Sequence, residues 1–352
     1  MRLRTAYVLA AVWVLLLTAG SAYAADVTVD CNKKKTINAA LAGLSKQGPH
    51  TVTVSGTCNE NVVIDGFDTL TLIGTAGASI NDPTPGNLAD NDVVDILQSR
   101  NVTVQGFTIN GGIEGVACIQ FSVCYLRELL VQGQSGDGVI YARSSGFVDN
   151  TTIQNTLFAG FQAVNSSNVI LGSNLFGTPG TTTIQNNGTE ENGGFGVNAN
   201  HGSNLTLVGV TVQGHAYGDG VSANFGAFLR LLGSNTITAN AGNGISISGA
   251  LARIQAAGET VSITNNGGNG VNLANTSTFQ SQGGTLTVTG NTGNGIRIGH
   301  LSFVRLAAGR TISGNGSPDV NCSVSTAKTE GVGDSSSPNL GGGTTNCTEP
   351  AP

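Results

Sequence analysis

Charge is the scarcest property of this sequence. Only 10% of its 352 residues are Asp, Glu, Lys or Arg, and the balance is acidic, with a formal net charge of −6. A chain with so few cations offers no basic surface to a phosphate backbone, which argues against nucleic acid as a partner. Helix-forming surface residues are few as well, and beyond residue 24 no apolar run is long enough to cross a bilayer. Zinc-ligand spacing is absent, and so is the Gly-Gly-x-Gly-x-Asp nonapeptide of calcium-binding repeats.

What is abundant points to strands and turns. The chain holds 52 glycines with many Asn, Thr and Ser, set among Val and Ile. Gly and Asn tolerate the left-handed backbone of tight turns, and β-branched residues favour strands, so the fold class is all-β. Residues 1–24 read as a signal peptide: Arg2 and Arg4, an apolar stretch from Ala6 to Leu17, then Ala22-Tyr23-Ala24 for cleavage. A secreted, periplasmic or cell-surface monomer is therefore expected, with no membrane span once that segment is gone. Export permits disulfides. The six cysteines fall into three sequence-local pairs, Cys31 with Cys58, Cys118 with Cys124 and Cys322 with Cys347. Fifteen connectivities are open to six cysteines, and locality favours this one, as staples at the two ends and on one loop.

The organising feature is a repeat. Asn-Gly-Ile-Ser-Ile begins at Asn243, Asn-Gly-Val-Asn-Leu at Asn269 and Asn-Gly-Ile-Arg-Ile at Asn294. Aligned backwards, the same x-Gly-apolar start falls at Asp219, Phe195, Ala159, Asp137 and Glu114, with Asp92 opening a degenerate copy. The steps are 22 to 26 residues, except for one of 36 between Ala159 and Phe195. Three short strands and their turns make about 24 residues, one coil of a solenoid. A leucine-rich repeat lacks its leucines here, and a propeller blade needs a longer period. The reading is a single-stranded right-handed parallel β-helix over 67–316. An N-terminal cap at 25–66 carries a short helix, Thr36 to Lys46, N-capped by Thr36. A disulfide-stapled C-terminal cap and tail occupies 317–352. The long step marks an insertion at 173–194, containing Glu190-Glu191.

The Cys-x4-Thr-Ile start at Cys31, the Gly-Thr-Cys-x-Glu-x-Val-x-Ile entry at 56–64 and the Asn-Gly-Ile/Val coils resemble the pectin-lyase-like superfamily of right-handed β-helix proteins. That resemblance implies a substrate groove on the face of the strand after each glycine. With Val139, Val197, Val221, Ile245, Val271 and Ile296 inward, the outward column reads Asp95, Ala117, Ile140, Gln162, Asn198, Ser222, Ser246, Asn272, Arg297. Successive members stack about 4.8 Å apart. The column is small, neutral and polar. Asn198, Ser222, Ser246, Asn272 and Arg297 are its candidate ligand-binding residues.

The chemical candidates are carboxylates. Asp92, Glu114 and Asp137 take the position before the glycine on three consecutive coils, with Asp95 beside the first. Neighbouring or alternate coils would set them at separations used by glycosidases, and crowding would raise one pKa. The same acids suit Ca²⁺ in principle, although no cofactor is expected. The plainer reading is turn chemistry, because the position later becomes Asp219, Asn243, Asn269 and Asn294. His215 with Asp219 is a candidate acid–base pair, with a solvated turn histidine the simpler reading. Phe147, Phe228 and Phe303, just before the second strand of their coils, suggest a stacked ladder.

A uronate lyase or epimerase also needs cations, and no Lys or Arg lies between Arg143 and Arg230. The Asp-Asp, Gly-His-Gly and Arg-Ile-Lys motifs of polygalacturonases are absent; Arg297-Ile298-Gly299 only echoes the last. The favoured function is non-catalytic: a polar Asn/Ser face that binds a neutral polysaccharide or serves a structural surface role. The alternative is a glycan-active enzyme, a hydrolase before a lyase, using Asp92, Asp95, Glu114 and Asp137.

Overall fold

The computed structural model describes residues 24–84, 91–172, 181–189, 194–254, 258–306, 309–323, 328–330 and 340–347. All of the expected signal peptide but Ala24 lies outside this set, as do Glu190 and Glu191. Period-two alternation makes short strands throughout, apolar side chains turned in and polar ones out. Among the described residues the strands form three parallel sheets: sheet 1 with 13 strands, and sheets 2 and 3 with 11 each. Sheet 1 opens with β1 (Ala25–Asp30), β2 (Gln47–Ser55) and β5 (Asp68–Gly74), sheet 3 with β3 (Thr57–Asn59) and sheet 2 with β4 (Val62–Asp65). Each coil then visits sheets 3, 2 and 1 in turn. This is a right-handed parallel β-helix of about eleven coils. Its interior is one continuous apolar column from Val29 to Val320. No described helix is long and apolar enough to cross a membrane.

Register follows the repeat. Asp95 pairs with Ala117, and the column continues through Ile140, Gln162, Asn198, Ser222, Ser246 and Asn272 to Arg297 on neighbouring strands of sheet 2. The ends differ from expectation. The helix α1 is only Ile37–Ala42, because Gly43 caps it; Thr36 Oγ1 accepts from Ala39 N at 3.2 Å, as an N-cap should. Glu60 adds a second cap, accepting from Ile37 N and Asn38 N at 2.7 and 3.0 Å. Coil stacking already begins within 25–66, since β2 and β4 pair with later strands. It also runs past 316: the strand Gly316–Cys322 pairs with Asn294–Ile298. The 173–194 insertion is interrupted by an ordinary sheet 3 strand, Thr182–Gln185, paired on both sides. Extra residues therefore flank that strand on each side.

Disulfides join Cys31 to Cys58, Cys118 to Cys124 and Cys322 to Cys347. The second is not on a loop. Cys118 and Cys124 point inward from adjacent strands of one coil and are wholly buried, so this bridge is part of the core. Nor do the phenylalanines make a single ladder. Phe147 stacks on Tyr125 with centroids 4.7 Å apart, while Phe228 and Phe303 share a different column with Leu251 and Thr278.

Stacked sheets satisfy their own backbone, but corners do so only in part, because there the chain leaves the ladder. Side chains close the gap. At the sheet 2 to sheet 1 corner, Ser99, Ser122, Ser144, Ser167 and Ser203 each accept, at 3.0–3.2 Å, from a backbone N–H of the preceding coil. At the sheet 3 to sheet 2 corner, Asn240, Asn266, Asn291 and Asn315 do the same in sequence, at 3.0–3.3 Å. His215 belongs to this second row. It is fully buried rather than solvated, and its Nδ1 accepts from Asn187 N at 3.0 Å; burial lowers its pKa to about 4. Asn266 Oδ1 takes both Asn240 N and Asn240 Nδ2, so Asn266→Ala strands buried donors. It should lower unfolding stability by about 1–3 kcal/mol, read from the denaturant midpoint.

Candidate functional site

The carboxylates of the first coils are rungs of a third ladder. Asp92 Oδ1 accepts from Glu114 N at 3.2 Å, Glu114 Oε2 from Asp137 N at 2.7 Å, and Asp137 Oδ1 from Ala159 N at 2.9 Å. Further along, Asp219, Asn243 and Asn269 make the same bond to the next coil at 2.6–2.9 Å. Asp, Glu and Asn all serve as the acceptor at this position, and Ala159 and Phe195 interrupt the row. Asp95 stands apart on the strand, and its Oδ1 is buried without a hydrogen-bond partner.

Burial without cations raises these acids. Glu114 is pushed up to about 8 by desolvation and by the neighbouring charges of Asp137 and Asp92. Asp95 rises to about 6 through desolvation, with Asp92 and Asp65 adding to it. Asp137 also reaches about 6 through desolvation, although Ala159 N and Gln162 Nε2 bind its ionised form. Asp92 rises for the same first reason. A cleft of about 380 Å³ opens over Glu114 and Asp137, walled by Ile113, Ser135, Gly136, Phe158 and Gln162. A protonated Glu114 beside an ionised Asp137 could donate and accept a proton there. The cleft has no lysine or arginine in its wall. Nor do the acids gather as metal ligands: among the described residues the three-ligand group within 4.8 Å is Cys31, Cys58 and Glu60, whose cysteines are already a disulfide.

The polar column of sheet 2 is less available than its sequence suggests. Asn198 and Ser222 are 7% and 2% exposed, so neither is presented to a ligand. Asn224 Nδ2 donates to Ser222 Oγ at 2.7 Å, and Arg297 Nη1 to Asn272 Oδ1 at 3.1 Å. Ser246 bonds Asp219. Much of this face is engaged with itself.

The open groove lies one turn further, along the sheet 2 to sheet 1 corner. Two clefts of about 650 and 570 Å³ adjoin there and share Phe121 and Arg143. Gln98, Arg100 and Gln120 extend one end, and Asn165, Ser166 and His201 the other. The tight corner forces left-handed backbone, with φ of 47° at Gln98, 67° at Phe121, 54° at Arg143, and 47° at both His201 and Phe225. Such turns ordinarily take Gly or Asn, as at Gly226, Gly249 and Asn275 in later coils. A bulky residue there costs about 1–2 kcal/mol. Phe121 and Phe225 accept that cost and remain 75% and 68% exposed. The His201 ring stacks on Phe225 with centroids 5.4 Å apart and 11° between planes. Arg143 makes no ion pair with a described residue, while Arg100 pairs with Asp68 at 3.4 Å. Reading the repeat for its glycine start misses this groove. The available signal is phenylalanine in a turn slot, one residue before the ladder serine at Phe121 and two before the equivalent Ala227 at Phe225.

No protein-family model and no curated protein matches the chain. Among solved structures, the A-module of Azotobacter vinelandii mannuronan C-5 epimerase AlgE6 superposes with a TM-score of 0.62 and 14% identity, over 84% of this chain and 86% of that one. The AlgE4 A-module from the same organism gives 0.58 and 12%, over 86% and 93%. The likeness is one of fold, a parallel β-helix.

Titration of the buried acids should appear in stability. A carboxylate whose folded pKa exceeds its unfolded value binds protons more tightly when folded, so its contribution fades as pH rises. The thermal midpoint should therefore decline from pH 4.5 to about 8, the interval that separates the ordinary and folded values of Glu114. In Glu114→Gln, which keeps an acceptor for Asp137 N, the decline above about pH 6 should flatten.

Proposed function

We propose that this chain is a glycan-binding β-helix that seats a carbohydrate along the corner groove between sheets 2 and 1. The observation that carries the reading is the pair of exposed phenylalanines, Phe121 and Phe225, held at costly left-handed positions on one line. Aromatic faces stack on the apolar faces of sugar rings, and the polar tips around them bind hydroxyls. Gln98, Gln120, Asn165 and His201 supply such tips, and Arg143 adds a forked donor. Four coil steps separate the two phenylalanines, about 19 Å, enough for a short oligosaccharide. The two fold neighbours are named for a reaction on a polysaccharide, which makes a glycan the first ligand class to try. Three disulfides suit an oxidising compartment outside the cytosol.

A second reading has its own observation. Glu114, held protonated near neutrality beside Asp137 in a cleft, fits a general acid in a glycan-active enzyme. Its ladder bonds and the absence of cations from the cleft wall favour binding over turnover.

Screening on a glycan array, followed by calorimetry on the best ligand, separates these readings. For binding in the corner groove, Phe121→Ala and Arg143→Gln should each weaken affinity by about tenfold and leave the thermal midpoint unchanged. Affinity indifferent to both variants would contradict it. Release of reducing ends or unsaturated sugars that disappears in Asp137→Asn would instead establish the enzyme.

A further inference from the structure

The outer face of sheet 3 belongs to neither site, and its composition is unusually uniform. Its first outward position, from Thr57 to Thr311, is Thr or Ser in ten of eleven coils, Leu130 being the exception. The second, from Asn59 to Ser313, is Asn or Gln in the first seven coils and Thr or Ser in the last four. Where the strands lengthen, Ser234, Thr260 and Thr285 add a third row, giving a three-by-three hydroxyl grid. These outward positions hold neither a charged nor an aromatic residue, and no register shift interrupts the sheet.

The rows are held in place. Each amide donates to the one before it, from Asn81 Nδ2 on Asn59 at 3.2 Å to Gln213 Nε2 on Gln185 at 3.0 Å. Thr264 Oγ1 donates to Thr238 Oγ1 at 3.1 Å. Hydroxyls of the first row thus repeat about 4.8 Å along the solenoid over roughly 48 Å, broken once at Leu130, and in the last four coils a second hydroxyl row lies about 6.7 Å across from it. Folding alone does not require this. Any polar residue would solvate an outward position, and the other two sheets vary freely there.

We infer that this face is an ice-binding surface. A rigid, uncharged lattice of small donors and methyl groups fits a ligand that is itself an uncharged lattice. Two such ligands exist, ordered water and a crystalline polysaccharide face. The second is gripped by stacked aromatic rings, which this face lacks and the corner groove has. The two spacings are close to the oxygen repeats of ice, and threonine methyls favour the ordered first water layer that would merge with it.

The test is incorporation of the full chain into a slowly grown ice hemisphere, with thermal hysteresis measured alongside. Wild type should be enriched in ice over an inert protein control. Thr287→Lys and Ser262→Lys, which put a long cation in the middle row of the grid, should fall to the control level with circular dichroism melts unchanged. Phe121→Ala should remain enriched, so failure of the glycan reading leaves this one standing. Exclusion of wild type from ice would overturn the inference. So would enrichment indifferent to Thr287→Lys, or capture by crystalline cellulose or chitin that Thr287→Lys abolishes.

Discussion

Every coil of this solenoid must find acceptors for the backbone N–H groups that leave the sheets at its corners. Within a sheet the neighbouring coil supplies them automatically, through parallel pairing whose register shifts only near the two ends. At a corner some of these groups still reach a backbone carbonyl of the adjacent coil, and the others are met by a side chain wherever a short acceptor recurs from copy to copy. The serine, asparagine and carboxylate ladders are three answers to that one requirement. Because an unpaired buried donor costs more than a net hydrogen bond returns, the requirement selects the residues most readily mistaken for catalytic ones.

This explains the acids. Asp92, Glu114 and Asp137 stack as the repeat implied, and they do what Asn243 and Asn269 do further along. Their raised pKa values follow from burial in a region with few cations, and such burial precedes any role in proton transfer. The same logic draws in His215, which takes an asparagine's place in the second ladder and bonds through a ring nitrogen.

Much of this was legible in the chain. The glycine-led repeat sets the coil length and places Asp95 opposite Ala117 and Asn272 opposite Arg297, because a two-residue side-chain period leaves one register that buries the valines and isoleucines. Thr36 announces its helix through capping chemistry, but Gly43 ends it sooner than the expected Lys46. Burial of Asn198 and Ser222 was not legible, since exposure of a short polar side chain depends on neighbouring coils and not on its own strand. The corner groove stayed hidden for a related reason. A repeat directs attention to what recurs, whereas Phe121, Arg143, His201 and Phe225 are departures from the Gly or Asn that the turn prefers.

Function, on this view, sits on residues the ladders leave free. The corner groove keeps aromatic rings, a cation and open volume, while the carboxylate cleft keeps groups already bound to backbone. Hydrogen–deuterium exchange with and without a saturating array-selected oligosaccharide decides between them directly. Protection centred on 120–122, 143–145 and 201–204, with the amides of 114 and 137 unchanged, is the expected result. Protection centred on 114 and 137, with the corner unchanged, would contradict it.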